Sequence, residues 1–215
     1  MNCRETGQGG QSLNRGRHNP APPSAGTFVA TALTSGLQIA SDSFRIRPWR
    51  QGYRAETRQT TYGPGLPPQS SVLTVDEHWR PRLLRVNRPG WHAIRAVFSA
   101  GHVSFRAGTR FGRRRETFPL SAETSFPLVS GGLAFPLFAC RRLAASGRSH
   151  LSLLLVPEGF CDLRQDDDSG DVHIRIHGPG GEDRLHLRLR RDGSVQRYHV
   201  RNAGLLVTCL PRAGD

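Results

Sequence analysis

Hydrophobic and polar residues alternate with a period of two along much of the chain, most clearly over residues 171–209. Valine and isoleucine alternate with histidine and arginine in residues 171–177, and a similar alternation returns in residues 184–190 and 195–200. Successive side chains of a β-strand point to opposite faces of a sheet, so this pattern is typical of strands with one buried face. Asp192-Gly193 suits a hairpin turn that needs positive φ at both central positions. The region therefore predicts an antiparallel meander of three strands.

The turns of this meander predict its strand registers. If residues 178–183 form the first loop, Ile176 pairs with Leu185. If the second turn has two residues, Leu187 pairs with Tyr198. Both registers place every apolar side chain on one face, and a one-residue shift in either would destroy that arrangement.

The opposite face of the predicted meander is cationic. The two registers give two rows across three strands, His173–Arg188–Arg197 and Arg175–His186–His199. Only Asp171 offers a local counter-charge. Like charges directly opposite one another in a sheet are unfavourable, so this face is either well solvated or meets an anion. The candidate anion-binding residues are Arg175, Arg188, Arg190 and Arg197.

Alternation and turn residues predict further strands in the rest of the chain, at residues 37–47, 53–62, 71–75, 82–87, 91–98, 103–106 and 150–156. Residues 28–34 and 117–120 are open as strands or connecting segments. The turn after Phe98 sets a register in which Phe98 faces Val103 and Ala96 faces Phe105, with Ile94 on the same side. Residues 112–116 are predicted to be a basic loop.

A helix is predicted between residues 121 and 146, where apolar residues recur near helical spacing. Pro136 is tolerated only in the first turn of a helix, so the helix is expected to begin at about Phe135 and to end before Gly147.

These elements predict a mainly β fold of about nine or ten strands, an antiparallel meander forming a half-barrel or roll with one short helix. Residues 1–25 are polar and rich in Gly, Pro and Ser without apolar periodicity, which predicts a disordered tail. Residues 26–215 are predicted to form a single β half-barrel domain.

Charge adds a cationic surface to this picture. The net charge is +13, from 30 basic and 17 acidic residues, and every basic residue is arginine. Complete exclusion of lysine indicates a codon-composition bias. The surface would still attract phosphates, nucleic acid or an anionic membrane. Two interpretations stay open, a nucleic-acid binder and an ordinary solvated surface in which arginine replaces lysine.

The chemistry-bearing residues form no catalytic motif. The chain has no Walker loop, G-x-S-x-G elbow or H-E-x-x-H sequence, so a non-enzymatic protein without cofactor or metal is expected. The acidic run at residues 166–171 lacks the carboxylate that a calcium loop needs at its twelfth position. His186 and His199 lie opposite each other in the predicted register, which gives at most a two-histidine site.

The four cysteines form no C-x-x-C pair, which favours isolated buried thiols in a reducing compartment. No signal pattern or apolar run of about 18 residues is found. A cytoplasmic location is therefore expected, or an exported protein if the true start differs.

The chain resembles uncharacterised bacterial relatives of the LolA/LppX-like lipoprotein and lipid-carrier half-barrels over about residues 36–210. The resemblance lies in residues 36–46, 52–57, 73–81 and 191–198, through strand order and turn placement. It implies that the helix lids the concave face of the sheet. It also implies a hydrophobic cavity for an acyl chain, lined by Ile94, Phe98, Phe105, Leu185, Leu187 and Tyr198. The alternative is that these residues simply form a filled core.

Two functions are predicted from these observations. The first is non-enzymatic binding of a hydrophobic or amphipathic, lipid-like ligand on the concave apolar face. The alternative is binding of nucleic acid or an anionic membrane surface through the arginine-rich sheet face. That face carries no aromatic side chain for base stacking, because Tyr198 points to the apolar side, and this weakens the single-stranded RNA hypothesis.

Overall fold

The computed structural model describes residues 25–63, 66–109, 112–121, 125–148, 150–156, 159–165, 172–178, 181–189, 194–200 and 203–211. The structure describes only the backbone of residues 91–93, 159–165, 172–178, 181–184 and 211. Residues 1–24, which make up nearly all of the predicted disordered tail, lie outside the described residues.

The described residues form fifteen strands and one helix. The first eight strands are β1 (Ala25–Ala32), β2 (Gln38–Pro48), β3 (Gly52–Thr61), β4 (Gln69–Asp76), β5 (Pro81–Arg88), β6 (Trp91–Phe98), β7 (Val103–Thr109) and β8 (Gly112–Phe118). The remaining elements are β9 (Ser125–Val129), α1 (Phe135–Ser146), β10 (His150–Val156), β11 (Gly159–Gln165), β12 (Val172–Gly178), β13 (Gly181–Leu189), β14 (Val195–Val200) and β15 (Leu205–Pro211). The predicted fold class and the predicted bounds of the helix are confirmed.

All fifteen strands belong to one sheet, in the order β8-β7-β6-β5-β4-β3-β2-β1-β15-β14-β13-β12-β11-β10-β9. Neighbouring strands are antiparallel except for β9 and β10, which are parallel. The first and last strands pair with each other, so β8 and β9, which follow each other in sequence, form the two edges. The sheet curls until β9 contacts β5, yet no hydrogen-bonded pairing closes it. The half-barrel prediction is therefore confirmed.

Several strands were not predicted, because they lack a period-two apolar pattern. Residues 112–116, predicted as a loop, belong to β8, where Arg113 and Arg115 alternate with the Arg114–Glu116 pair. In β9 every residue is buried, as in strands covered on both faces, so no polar position alternates. The prediction of about nine or ten strands was therefore too low.

One predicted register of the meander is confirmed and the other is wrong. Leu187 pairs with Tyr198 between β13 and β14, as predicted. Between β12 and β13, however, Gly178 pairs with Gly181, so the connection is shorter than the predicted loop. This shifts the register by two residues and places Ile176 opposite Asp183 instead of Leu185. Because the shift is even, the division of side chains between the two faces is preserved.

The outward rows of the meander change with this register. The backbone pairs His173 with His186, and His186 with His199 on the next strand. The backbone pairs Arg175 with Arg184 instead of His186. The predicted mixed rows of histidine and arginine are therefore replaced by one histidine row and separate arginine pairs.

The concave face of the sheet packs around α1. Phe138 lies at the centre of an aromatic cluster, with ring centroids 6.2 Å from Phe44, 6.3 Å from Trp79 and 5.4 Å from Phe135. Trp79 is also stacked on Tyr53 at 5.4 Å. These rings join β2, β3, the β4–β5 turn and the helix into one core, so the helix fills much of the concave space.

The turn that delivers Trp79 into the core is stabilised by Asp76. Trp79 has a φ of 59°, an unfavourable conformation for a bulky residue. The Asp76 carboxylate accepts hydrogen bonds from the backbone N–H groups of His78 and Arg80, at 3.0 and 2.9 Å. It also forms an ion pair of 3.1 Å with Arg82. These contacts hold the strained turn in place.

The helix of the described region has 12 residues. It is neither long enough nor apolar enough to cross a bilayer.

Candidate functional site

The loop that precedes α1 is fastened to the sheet by buried polar side chains. Asp42 of β2 accepts a hydrogen bond from the Ala134 N–H, with Oδ2 and N 3.0 Å apart. Gln59 of β3 accepts one from the Leu133 N–H at 3.3 Å. Ala134 is the N-cap residue of α1, and its N–H has no partner within the helix, whereas Leu133 lies in the preceding loop. Asp42 therefore caps α1 from a neighbouring strand.

Two further side chains bind carbonyl groups of the same loop. The Tyr198 hydroxyl of β14 donates to the Leu133 carbonyl at 2.8 Å. The side-chain amide of Gln69 on β4 donates to the Ser130 carbonyl at 3.3 Å. The loop is thus held from both halves of the curled sheet, because β4 and β14 lie on opposite sides of β1.

Burial governs the ionisation of this cluster. Desolvation raises the pKa of Asp42 from 3.8 to about 7, against the lowering effect of hydrogen bonds from Ala134 and Leu133. Its Oδ1 atom has no hydrogen-bond partner in the described part of the chain. Burial, and to a lesser extent the nearby Asp42 and Cys209, raise the pKa of Tyr198 well above its usual value. The tyrosine is therefore a neutral hydrogen-bond donor.

Cys140 on α1 is fully enclosed by the core. Desolvation raises the pKa of its thiol to about 12. A thiol with so high a pKa stays protonated at neutral pH and is a poor nucleophile. The expectation of isolated buried thiols is confirmed for this residue.

A cavity of about 300 Å³ lies beside the loop that Asp42 and Tyr198 hold. Its walls come from the β3–β4 connection, β9, the loop before α1, β10 and strands β13–β15. The lining residues are mostly apolar, and they include Leu66, Leu128, Leu133, Leu155, Leu185, Tyr198, Val200, Ala203 and Leu205. Arg88, at the end of β5, is the charged residue among those that line it.

The structure divides the six predicted ligand-binding residues between two places. Leu185 and Tyr198 line the cavity. The other four are buried in the core on β6, β7 and β13 and are not among the residues lining this cavity: Ile94, Phe98, Phe105 and Leu187. Leu187 pairs with Tyr198, but strand β6 is separated from β14 by six strands of the sheet, so Ile94, Phe98 and Phe105 are not neighbours of the cavity residues along it.

The predicted anion-binding residues are partly brought together. Arg188 lies directly opposite Arg197, and both side chains are exposed. The backbone places Arg175 on the same face, opposite Arg184. Arg190 lies outside the described residues.

A longer arginine row, not among the predicted residues, crosses the outward face of β5–β8. Successive pairings place its four members directly opposite one another, in the order Arg85–Arg95–Arg106–Arg115, and we call this set the arginine row. The register predicted from the turn after Phe98 already places Arg95 opposite Arg106. The polar face of this predicted hairpin therefore carries the signal for the arginine row in the sequence.

A groove of about 870 Å³ runs along the outward face of β1–β6. The inward-pointing residues that line it, such as Phe44 and Ile94, are at most a few per cent exposed. Its side-chain walls are therefore the exposed outward residues, which include Ser43, Arg45, Arg58, Arg85, Asn87 and Arg95. The groove thus begins at the arginine row and extends across the sheet.

The described side chains contain no group of three or more histidine, cysteine, aspartate or glutamate residues that could hold a metal ion. The predicted opposition of His186 and His199 is confirmed by the register of β13 and β14.

No protein-family model matches the chain, and no curated protein does either. Among solved structures, a DUF1089 family protein from Pseudomonas aeruginosa shares 16% sequence identity with it, covering 74% of this chain and 89% of its own, with a TM-score of 0.46. A β-barrel-like protein of the domain of unknown function DUF1849 from Brucella abortus shares 11% identity, covering 88% of this chain and 97% of its own, with a TM-score of 0.47. At these identities the likeness concerns the course of the backbone alone.

Proposed function

We propose that the protein binds a small hydrophobic or amphipathic ligand, lipid-like in character, in the cavity beside the loop that precedes α1, without catalysing a reaction. The observation that carries the proposal is the cavity itself, an apolar space of about 300 Å³. This volume is at the lower end of the range of about 300–1,000 Å³ for small-molecule sites. It suits a single short chain or ring better than a complete phospholipid.

The polar groups of the cavity suggest the chemistry of the ligand. Such sites are lined by apolar side chains with a few polar groups that fix the orientation of the ligand. Here the apolar walls are joined by Arg88, a residue type whose guanidinium suits a carboxylate or phosphate. The favoured ligand is therefore an anionic amphiphile, with its apolar part among Leu185, Val200 and Leu205.

Rigid support of the cavity wall indicates a ligand-binding site and not an incidental packing defect. The loop that carries Leu133 is held by Asp42, Gln59 and Tyr198. A wall fixed in this way need not be ordered when a ligand enters, which lowers the entropic cost of binding. The resemblance of the sequence to the LolA/LppX-like half-barrel carriers supports the same proposal.

Native mass spectrometry of protein purified from its own host, with organic extraction of the same sample, tests the proposal directly. A stoichiometric adduct that extracts as a lipid-like acid is expected. A bare mass, together with failure of alkanoic acids to bind the purified protein, would contradict the proposal.

Two variants locate the site. Ala203 is exposed and lines the cavity, so Ala203→Trp should block it, whereas Ala100→Trp at an exposed turn away from the cavity should not. Calorimetric titration with alkanoic acids should show at least about a tenfold loss of affinity for the first variant only, since an added indole competes for the same volume. Equal affinities in the two variants would exclude this cavity.

Arg88→Gln separates recognition of the headgroup from a structural effect. Binding of the alkanoic acid should weaken while binding of the alcohol of the same chain length is retained, because only the acid needs the cation. An equal loss for both would mean that Arg88 shapes the cavity instead of binding the ligand.

The second candidate function is anion binding by the outward face of the meander, which we propose on the exposed Arg188–Arg197 pair. Nucleic acid or an anionic membrane surface could be its partner. Charge reversal of both residues should remove salt-dependent binding to either polyanion.

A further inference from the structure

The arginine row places four positive charges at the spacing of β-strands. Strands of a sheet lie about 4.8 Å apart, so the row spans about 14 Å. All four side chains are exposed. Like charges directly opposite one another in a sheet destabilise it, so three consecutive arginine pairs carry a structural cost.

The row has no counter-charges in the described part of the chain, although arginines elsewhere do. Glu56 pairs with Arg47 and Arg54, at 2.7 and 2.8 Å. Arg114 precedes Arg115, the member of the row on β8, and therefore points to the opposite face of the sheet. There it is paired with Glu116. No ion pair involves a member of the row among the residues that the structure describes. Glu116 is thus directed away from the row, whereas Glu56 lies on the same outward face and its charge is shared by Arg47 and Arg54.

The groove continues the row toward β1. Its side-chain walls add Arg45 and Arg58 to Arg85 and Arg95, together with Glu56, which is ion-paired with Arg47 and Arg54. Ser43 and Asn87 add hydrogen-bonding groups on the same face. A concave strip with arginine along it suits a narrow, extended polyanion.

We propose that the arginine row and the adjoining groove form a binding site for the sugar–phosphate backbone of nucleic acid. Arginine donates two parallel hydrogen bonds to a phosphate, and its charge displaces counterions from the nucleic acid. At an axial rise of about 3.4 Å per nucleotide in one strand of a duplex, the row matches about four nucleotide steps.

The composition of the face specifies which contacts are available. Neither the row nor the neighbouring positions Ser43, Arg58, Ser70 and Asn87 contain an aromatic side chain, so bases have no ring to stack on. Binding is therefore to phosphates and independent of sequence, and a duplex serves as well as a single strand.

A lipid bilayer fits this face less well than nucleic acid. Interfacial binding to membranes inserts large apolar side chains below the headgroups. The exposed large apolar residues of the described chain lie elsewhere: Leu33, Leu37, Trp49, Tyr62 and Leu210. A planar surface would also leave the groove unfilled.

Fluorescence anisotropy with a labelled 20-base-pair DNA duplex and the full chain tests the proposal. With four phosphate contacts, affinity should fall about 150-fold when salt rises from 50 to 200 mM. Replacing Arg95 and Arg106 by glutamine removes two contacts and should reduce this fall to about 12-fold. Binding by the unsubstituted protein should not depend on the sequence of the duplex.

The Arg50→Gln, Arg148→Gln protein is the matched control, because it removes the same charge from two exposed arginines that lie outside the arginine row, the groove and the meander. It should bind the duplex with the salt dependence of the unsubstituted protein. The proposal is overturned if this control loses binding as the row variant does. It is also overturned if the row variant keeps the full salt dependence, or if the protein binds vesicles of phosphatidylglycerol but not the duplex. The site does not depend on the proposed cavity, so alkanoic-acid binding can succeed or fail independently.

Discussion

Replacement of the buried Asp42 by asparagine should remove a pH dependence of folding stability. Desolvation raises the pKa of Asp42 from 3.8 to about 7 in the folded protein. Between these pH values the folded state binds more protons than the unfolded state, so the free energy of unfolding falls as pH rises. Above pH 7 the carboxyl is ionised in both states and its contribution no longer changes.

The size of the effect follows from the raised pKa. Each pKa unit corresponds to about 1.4 kcal/mol, so the carboxyl costs about 2 kcal/mol at pH 5 and about 4 kcal/mol at pH 8. Asparagine keeps an oxygen that accepts the hydrogen bond from Ala134 and carries no charge. It exchanges the unpartnered Oδ1 acceptor for an unpartnered donor, a cost that does not vary with pH.

Urea unfolding of both proteins at pH 5 and pH 8 measures the difference. Going from pH 5 to pH 8, the unsubstituted protein should lose about 2 kcal/mol more stability than Asp42→Asn. Glu116→Gln is the control, because Arg114 lowers the pKa of that carboxyl and it is already ionised in this range. Its profile should therefore run parallel to that of the unsubstituted protein. Parallel profiles for Asp42→Asn as well would refute the argument that burial has raised the pKa of Asp42.

Two further predictions concern the core and the arginine row. Phe138→Ala should lower the free energy of unfolding by about 3–5 kcal/mol, because the ring is fully buried among Phe44, Trp79 and Phe135. Denaturant titration measures this, and a loss below about 1 kcal/mol would mean that the cluster is loosely packed. Arg95→Gln should raise the melting temperature by relieving repulsion worth about 0.5 kcal/mol, whether or not the row binds nucleic acid. An unchanged or lower melting temperature, measured by calorimetry at low salt, would show that the row carries no such cost.

Alternation in the sequence was enough to predict the fold class, because a period of two is imposed wherever one face of a strand is buried. The helix was predictable for a different reason. Pro136 can occupy only the first turn of a helix, and Gly147, with a φ of 64°, adopts the left-handed conformation that ends it. Both signals are local, so they do not depend on knowing the neighbours in the sheet.

The features that escaped prediction depend on partners distant in sequence. Strand β9 is recognisable only from its parallel pairing with β10 and its burial on both faces. The β12–β13 register depends on the length of the connection, and the loop of residues 178–183 assumed from the sequence was longer than the two residues between Gly178 and Gly181. The cavity depends on β13–β15 meeting the loop before α1, a contact between segments that no local pattern relates.

The composition of the chain accounts for the identity of its cations but not for their arrangement. A bias toward arginine codons explains why all 30 basic residues are arginine. It does not explain why Glu56 and Glu116 pair with other arginines while none of the four members of the arginine row has an acidic partner among the described residues. A solvated surface under no constraint would gain stability by placing acids opposite arginines, since opposite charges across strands are favourable. Retention of a destabilising row is what a site for an external anion requires, because the anion supplies the missing charge only when it binds.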